Sequence, residues 1–201
     1  MSVFQFLPNR PYYDCYTSFV TWQNGFTNEE IDQIVNYCDT NLILEDAEVG
    51  GNNIYSVNPG IRRSKVGWIK NNVDTFWFYS RLAWITRELN SKFYNFDLYG
   101  FVEDFQYTVY NDNESGHYDW HTDASPKADL PRKLSIVLQL SSPEDYDGGE
   151  LMIRQSSTEE TVYKEKGLIA GFPSYVQHKV NPVTRGTRKT LVIWSAGPAF
   201  R

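Results

Sequence analysis

From residue 105 to residue 194 the chain is a succession of short β-rich segments divided by turns, and this limits its fold more than any other feature. Residues 105–110, Phe-Gln-Tyr-Thr-Val-Tyr, combine aromatic and β-branched side chains, which suit a pleated surface. Residues 134–140, Leu-Ser-Ile-Val-Leu-Gln-Leu, form a mostly apolar run bounded by polar residues, the signature of a buried strand. Asp147-Gly148-Gly149 is a hairpin-type turn that leads into residues 150–153. Residues 162–164, 167–172 and 189–194 complete the set.

The first hundred residues read differently. Thr27-Asn28-Glu29-Glu30 is a capping box, and Ile31, Ile34, Val35 and Cys38 follow at helical spacing, so a helix is expected over about 28–40. Asp74-Thr75 can cap a second helix over about 74–91. Its apolar face comprises Phe76, Tyr79, Leu82, Ala83, Ile85, Leu89 and Phe93. Pro8 and Pro11 argue against a helix in residues 1–24, which read as an edge strand or an arm. Turn residues dominate 45–66, predicting a loop with one short strand at most, either a lid or a surface excursion. Helices first and short strands afterwards predict a mainly β sandwich or barrel with helices packed on one sheet. The length of 201 residues suits a single domain over 1–201, with 1–100 giving helices and supporting strands and 101–201 the β core.

Composition excludes several classes. The net charge of −6 gives no general attraction to nucleic acid or anionic membranes. The N-terminus lacks a basic start followed by an apolar stretch, and no run of about 18 apolar residues exists. A soluble cytoplasmic protein is expected, with no nucleic-acid or membrane partner. Two cysteines, Cys15 and Cys38, make no disulfide framework and read as idle thiols in a reducing compartment, with a single bridge between them as the alternative.

The segment richest in chemistry is Tyr118-Asp119-Trp120-His121-Thr122-Asp123. On a strand, positions i and i+2 share a face, so His121 and Asp123 can offer an imidazole and a carboxylate to one metal ion. With a third ligand they form a two-histidine, one-carboxylate set that leaves coordination positions open and suits non-haem Fe(II) oxygenases. His178, beside a distant strand, is the natural third ligand; His117 faces the same way only if its strand is unbroken. Arg188 shares a strand face with Thr190, Val192 and Trp194. A guanidinium inside a barrel needs a partner, and its fork is shaped for a carboxylate. Tyr110 can reach the same pocket, and Gly116, Gly148 and Gly149 stand where a tight barrel needs them.

These residues carry a resemblance. From about 105 to 198 the chain resembles the 2-oxoglutarate/Fe(II)-dependent dioxygenases of the prolyl 4-hydroxylase-like group. The resemblance runs through Tyr110, Gly116, His121-Thr122-Asp123, Pro143 to Leu151, Phe172-Pro173-Ser174, His178, Pro182 to Arg188 and Trp194. The runs Tyr146-Asp147-Gly148-Gly149-Glu150-Leu151 and Pro182-Val183-Thr184-Arg185-Gly186-Thr187-Arg188 look most like the bacterial and phage hydroxylases. The resemblance implies a double-stranded β-helix, a jelly-roll or cupin-like core. It implies His121, Asp123 and His178 as iron ligands and Arg188, rather than Arg185, as the clamp for the distal carboxylate of 2-oxoglutarate. Tyr110 would bond the cosubstrate and Trp194 would line its pocket. Gln139 stands where relatives often carry an aromatic residue. Retention of Asp123 sets the chain apart from relatives that halogenate.

The implied reaction uses Fe(II), 2-oxoglutarate and O2, with ascorbate as a possible reductant, and yields succinate, CO2 and a hydroxylated product. The implied substrate is a prolyl residue in a peptide or protein; a lysyl residue, a free amino acid or another small metabolite is the alternative. Arg62, Arg63, Tyr118 and Trp120 are the candidate substrate contacts. A nucleobase-directed oxygenase and a non-oxygenase metal-binding cupin are the rival readings, the first disfavoured by the acidic charge.

Overall fold

Alternation along three strands decides the architecture, because it gives each strand one face for helices and one for a cavity. Tyr107, Ile136 and Ile193 lie in a core shared with the helices, whereas Tyr110, Val137 and Val192 belong to a second core on the opposite side. The computed structural model describes residues 17–51, 54–124 and 130–199.

The described chain enters through β1 (Val20–Trp22), an edge strand, and α1 (Asn28–Asn41). Thr27 accepts from the Glu30 N–H while the Glu30 carboxylate accepts from the Thr27 N–H, so the capping box closes as the sequence predicts. Residues 45–66, expected as a loop with one short strand at most, are instead largely extended. They contain β2 (Glu45–Asp46), β3 (Val49–Gly51), β4 (Ile54–Ser56), β5 (Arg62–Arg63) and the start of β6 (Lys65–Ile69). The physical reason is long-range pairing: β5 lies against residues 117–118 and β6 against residues 105–109, partners that no local pattern announces.

Helix α2 (Phe76–Leu89) ends in a π-helical turn, Asn90–Tyr94. Its expected apolar face is buried at Tyr79, Leu82, Ile85 and Leu89, but Phe76 and Phe93 at its ends are exposed. The β core follows as β7 (Gly100–Phe101), β8 (Phe105–Asn111), β9 (His117–His121), β10 (Arg132–Gln139) and β11 (Tyr146–Gly148). It continues as β12 (Leu151–Gln155), β13 (Thr158–Thr161), β14 (Ile169–Pro173), β15 (Gln177–Val180) and β16 (Val183–Ala196).

Among the described residues, the larger sheet runs β1-β14-β10-β16-β8-β6-β2, with β7 and β11 also on β16; the smaller runs β13-β12-β15-β9-β5. All pairings are antiparallel, and β3 and β4 form a separate hairpin. The two sheets form a double-stranded β-helix with α1 and α2 packed on the outer face of the larger one. Two glycines permit its tight corners. Gly148 has φ +72°, and a Cβ there would sit 2.1 Å from the Pro182 carbonyl oxygen; a Cβ on Gly116 would meet the Asn111 nitrogen at 2.8 Å.

Cys38 is a fully buried free thiol whose pKa burial pushes up to about 12, so it is inert; Cys15 lies outside the described residues. Lys133 is buried and donates to the Pro198 carbonyl. Among the described residues no helix is long and apolar enough to cross a membrane.

Candidate active site

β9 ends at His121, and its pairing with β15 sets His178 directly opposite. The register slips between this pair and the next, Tyr118 with Val180, leaving one extra residue on β9. Tyr118 and His121 therefore both line the cleft although they are three apart. The same slip puts His117 out of phase; it pairs with Arg63, and its Nδ1 lies 2.9 Å from the Ser115 carbonyl.

Asp123 reaches the site by a different route from the one its spacing suggests. It lies beyond the end of β9 rather than on it, and its N–H donates to the Ser174 carbonyl at 2.9 Å. The Ala124 N–H donates to the same oxygen at 2.8 Å. This anchor, next to β14, turns the carboxylate back between the two imidazoles.

His121 Nε2 lies 3.7 Å from Asp123 Oδ1, and His178 Nε2 lies 3.5 Å from Asp123 Oδ2. Ligand atoms of the three residues all fall within 4.8 Å of one another. Each imidazole turns Nδ1 to a main-chain carbonyl, His121 to Asp119 at 2.8 Å and His178 to Val176 at 3.0 Å. Those carbonyls take the Nδ1 protons and leave both Nε2 lone pairs for a cation.

Burial, and then the neighbouring His178, hold His121 well below its ordinary pKa of 6.5. Burial alone would raise the Asp123 pKa. His178, His121, the Ser135 hydroxyl and the Trp194 indole outweigh it and hold the carboxyl below its usual range. A neutral His121 imidazole beside an ionised carboxylate suits a divalent cation.

The Ser135 hydroxyl donates to Asp123 Oδ2 at 2.7 Å and lies 2.9 Å from the Ser174 hydroxyl. Both serines lie in segments that carry the resemblance, but the sequence reading gave neither a role; the signal was present in Ser135 alternating with Leu134 and Ile136 on a strand with one polar face. Ser135→Ala should weaken Fe(II) binding about 10–100-fold, the usual cost of disturbing an outer hydrogen bond to a ligand. A calorimetric titration with Fe(II) under anaerobic conditions measures it, and an unchanged affinity would assign the serine to packing alone.

The depressed His121 pKa has a signed consequence for the metal-free protein. The unfolded chain binds a proton at His121 below about 6.5 and the folded chain does not. The stability this site contributes is therefore complete above about 6.5 and is lost progressively as pH falls below it. Urea midpoints of apo protein at pH 7.5 and 5.5 test this; a higher midpoint at 5.5 would contradict it.

The triad stands at one wall of a cleft of about 1070 Å³ between the sheets. The inward residues of β8 and β16, including Gln106, Tyr110, Arg188, Thr190 and Trp194, make the opposite wall. Arg188 is 3% exposed, and its guanidinium carbon lies 5.4 Å from the centre of the Tyr110 ring. It makes no hydrogen bond or ion pair among the described residues. A buried, unpaired guanidinium is costly, so the space before it is built for an anion. Arg185 is not available for that task, because it is exposed and paired with Asp147 at 2.6 Å. Gln139 is buried beside Arg188 and donates to the Tyr146 hydroxyl at 2.8 Å. It borders the small space behind the guanidinium rather than the main cleft. Trp194 turns its indole N–H toward Asp123 without closing a hydrogen bond.

The four candidate substrate contacts divide. Tyr118 stacks on His121 with ring centres 3.5 Å apart, and Arg62 lies over the other side of Tyr118, 4.5 Å from its centre. Both line the cleft. Arg63 and Trp120 do not. Arg63 is exposed and donates to the carbonyls of Pro59 and Glu114, because its side chain alternates with that of Arg62 on β5. Trp120 sits outside the cleft between Arg154 and Lys179, 3.8 and 4.8 Å from its ring, because the extra residue in β9 turns Tyr118 and His121 inward.

Fold and site together define a double-stranded β-helix carrying a two-histidine, one-carboxylate face, the arrangement of non-haem Fe(II) oxygenases. Residues 105–196 match the 2OG-Fe(II) oxygenase superfamily. A PKHD-type hydroxylase from Herminiimonas arsenicoxydans is 40% identical over 93 residues, 43% of this chain and 41% of that protein. The matched stretch thus spans about two fifths of that relative. A prolyl-4-hydroxylase from Pseudomonas putida superposes with a TM-score of 0.70 at 18% identity, covering 92% of this chain and 95% of its own. A prolyl hydroxylase from Trichoplax adhaerens, solved with a hypoxia inducible factor peptide fragment, gives 0.74 at 19% identity over 90% of this chain and 84% of its own. The family implies Fe(II), 2-oxoglutarate and O2, and the donor set fits: two imidazole nitrogens and a carboxylate for the metal, and a free buried guanidinium for a dicarboxylate.

Proposed function

We propose that this chain is an Fe(II)- and 2-oxoglutarate-dependent dioxygenase that hydroxylates a C–H bond of a prolyl residue in a peptide or protein. One observation carries the reading: the cation-ready triad and the unpaired Arg188 line a single cleft. His121, Asp123 and His178 would hold the iron. Arg188 would grip the distal carboxylate of 2-oxoglutarate with two parallel N–H bonds, with Tyr110 beside the cosubstrate, Trp194 as a wall and Gln139 holding Tyr146 behind it. Bound iron, with 2-oxoglutarate and O2, supplies the oxidising power for an unactivated C–H bond, and succinate and CO2 leave. The protein's share is to hold both reactants in register, keep the His121 imidazole neutral and exclude bulk water with the aromatic wall.

The shape of the cleft supports a peptide substrate. Trp68, Tyr118 and Trp194 give it aromatic surface of the kind that docks an extended, proline-containing chain, and residues of β2 and β3 border it. The chain's net charge of −6 argues against a nucleic-acid substrate. The test is succinate formation by the purified protein with Fe(II), ascorbate and 2-oxoglutarate under air, with and without proline-containing peptides. Succinate that rises with a peptide, with a mass gain of one oxygen on proline, is the expected result. An iron-loaded protein that forms no succinate would overturn the reading.

A further inference from the structure

The cleft holds a second buried guanidinium, and 2-oxoglutarate does not account for it. Arg62 is 8% exposed and lines the cleft. Its Nε donates to Ser64 Oγ and its Nη2 to Gln106 Oε1, each at 2.9 Å, so its orientation is fixed by neutral groups. The Gln106 oxygen also accepts from Thr108, which turns the Gln106 amide N–H2 away from these partners. Among the described residues no carboxylate pairs with Arg62. The acidic residues that share its cleft are otherwise placed: Asp46 pairs with Lys65, Glu103 takes Arg132, Asp123 belongs to the triad, and Glu45 and Glu48 form no ion pair with it. Arg62, Tyr118 and His121 form a continuous stack, so this positive charge stands one ring away from a proposed iron ligand.

A guanidinium in this state has its geometry held and its charge unanswered. Ser64, Gln106 and the Tyr118 ring supply hydrogen bonds and packing, but none is an anion. Burying such a charge is costly unless a ligand completes the pair, and the remaining N–H groups of the fork suit a carboxylate. A neutral peptide carbonyl would leave the charge uncompensated.

We infer that the substrate carries a carboxylate, docked on Arg62, close to the C–H bond that is hydroxylated. The inference rests on the dioxygenase reading and narrows its substrate class. The carboxylate has two sources, an Asp or Glu side chain next to the target residue or the free α-carboxylate of a terminal or single amino acid.

The test compares acids with their uncharged isosteres on the iron-free full-length protein with 2-oxoglutarate present. The probes are Ala-Ala-Pro-Glu-Ala against Ala-Ala-Pro-Gln-Ala, both with blocked ends, and L-proline against L-prolinamide. Binding is read by calorimetry. The acid of at least one pair should bind tenfold or more tightly than its amide, and the pair that does so identifies the source. Arg62→Gln should remove the preference. Arg62→Lys, which keeps the charge and loses the fork, should retain part of it, and both variants are checked for an unaltered far-UV spectrum. Equal binding of acid and amide in both pairs, a preference that survives in Arg62→Gln, or no binding by either acid would each overturn the inference. Peptide-free succinate formation by the iron-loaded wild type is measured separately; its absence would overturn the dioxygenase reading itself, whatever the acids do.

Discussion

Asp123→Ala and His178→Ala should each abolish succinate formation, and each should lose Fe(II) affinity by more than the 10–100-fold expected when an outer hydrogen bond alone is disturbed. The argument is geometric. The two Nε2 atoms converge on one carboxylate at 3.7 and 3.5 Å, and every other hydrogen-bonding atom of these rings is already engaged with a main-chain carbonyl. In a six-coordinate site three protein donors leave three positions for the cosubstrate and O2, and removing one donor costs both affinity and the facial geometry. The Asp123 change is the more revealing of the two. It keeps both imidazoles but deletes the one carboxylate that lies between them among the described residues, so any bound cation meets two neutral donors. Anaerobic Fe(II) titration and a succinate assay on the same preparations decide the matter. A variant that binds iron and turns over like the wild type would show that the triad is not the metal site.

How much of this was legible in the sequence depended on the range of the interaction involved. The capping box at Thr27 and the apolar face of α1 are local and fold as their spacing says, whereas α2 buries Tyr79, Leu82, Ile85 and Leu89 of its expected face but leaves Phe76, Ala83 and Phe93 exposed and takes no side-chain cap from Thr75. The pairing of His121 with His178 is not local, yet the scarcity of histidine left few choices for a third ligand. Strand alternation placed Arg188 and Trp194 on one inner face because β16 is regular there. The same rule failed on β9. The extra residue between Tyr118 and His121 is a property of its pairing with β15, so no reading of residues 117–123 alone could show that Tyr118 turns in and Trp120 turns out. Asp123 reached the expected place for an unexpected reason, an anchor on Ser174 fifty-one positions away rather than a strand repeat. Residues 45–66 failed in the same way: their turn-rich composition is real, but pairing with residues 105–109 and 117–118 made strands from part of it.

Arg188→Met should raise the 2-oxoglutarate requirement steeply while making the ligand-free protein more stable, and the opposite signs are the point. In the free protein the guanidinium is 3% exposed and unpaired, so it is a source of strain rather than of stability. Methionine fills comparable volume against Tyr110 and Gly149 without a charge to desolvate, and replacing buried charge by packed apolar groups commonly stabilises by about 1–4 kcal/mol. With 2-oxoglutarate present the balance reverses. Truncating one partner of a buried, hydrogen-bonded charge pair costs about 2–5 kcal/mol, which is at least ~30-fold in affinity. The wild type should therefore gain about 2.7 kcal/mol of stability at a 2-oxoglutarate concentration 100 times its Kd, and the variant should gain no more than about 0.9 kcal/mol at that same concentration. Thermal unfolding with and without 2-oxoglutarate, beside a titration of succinate formation, reads both arms. A structural arginine would give the reverse pattern, with a lower melting temperature in the free variant and an unchanged response to the cosubstrate. The carboxylate of 2-oxoglutarate then has to be gripped elsewhere in the cleft, and Arg62 becomes the group to test for that role.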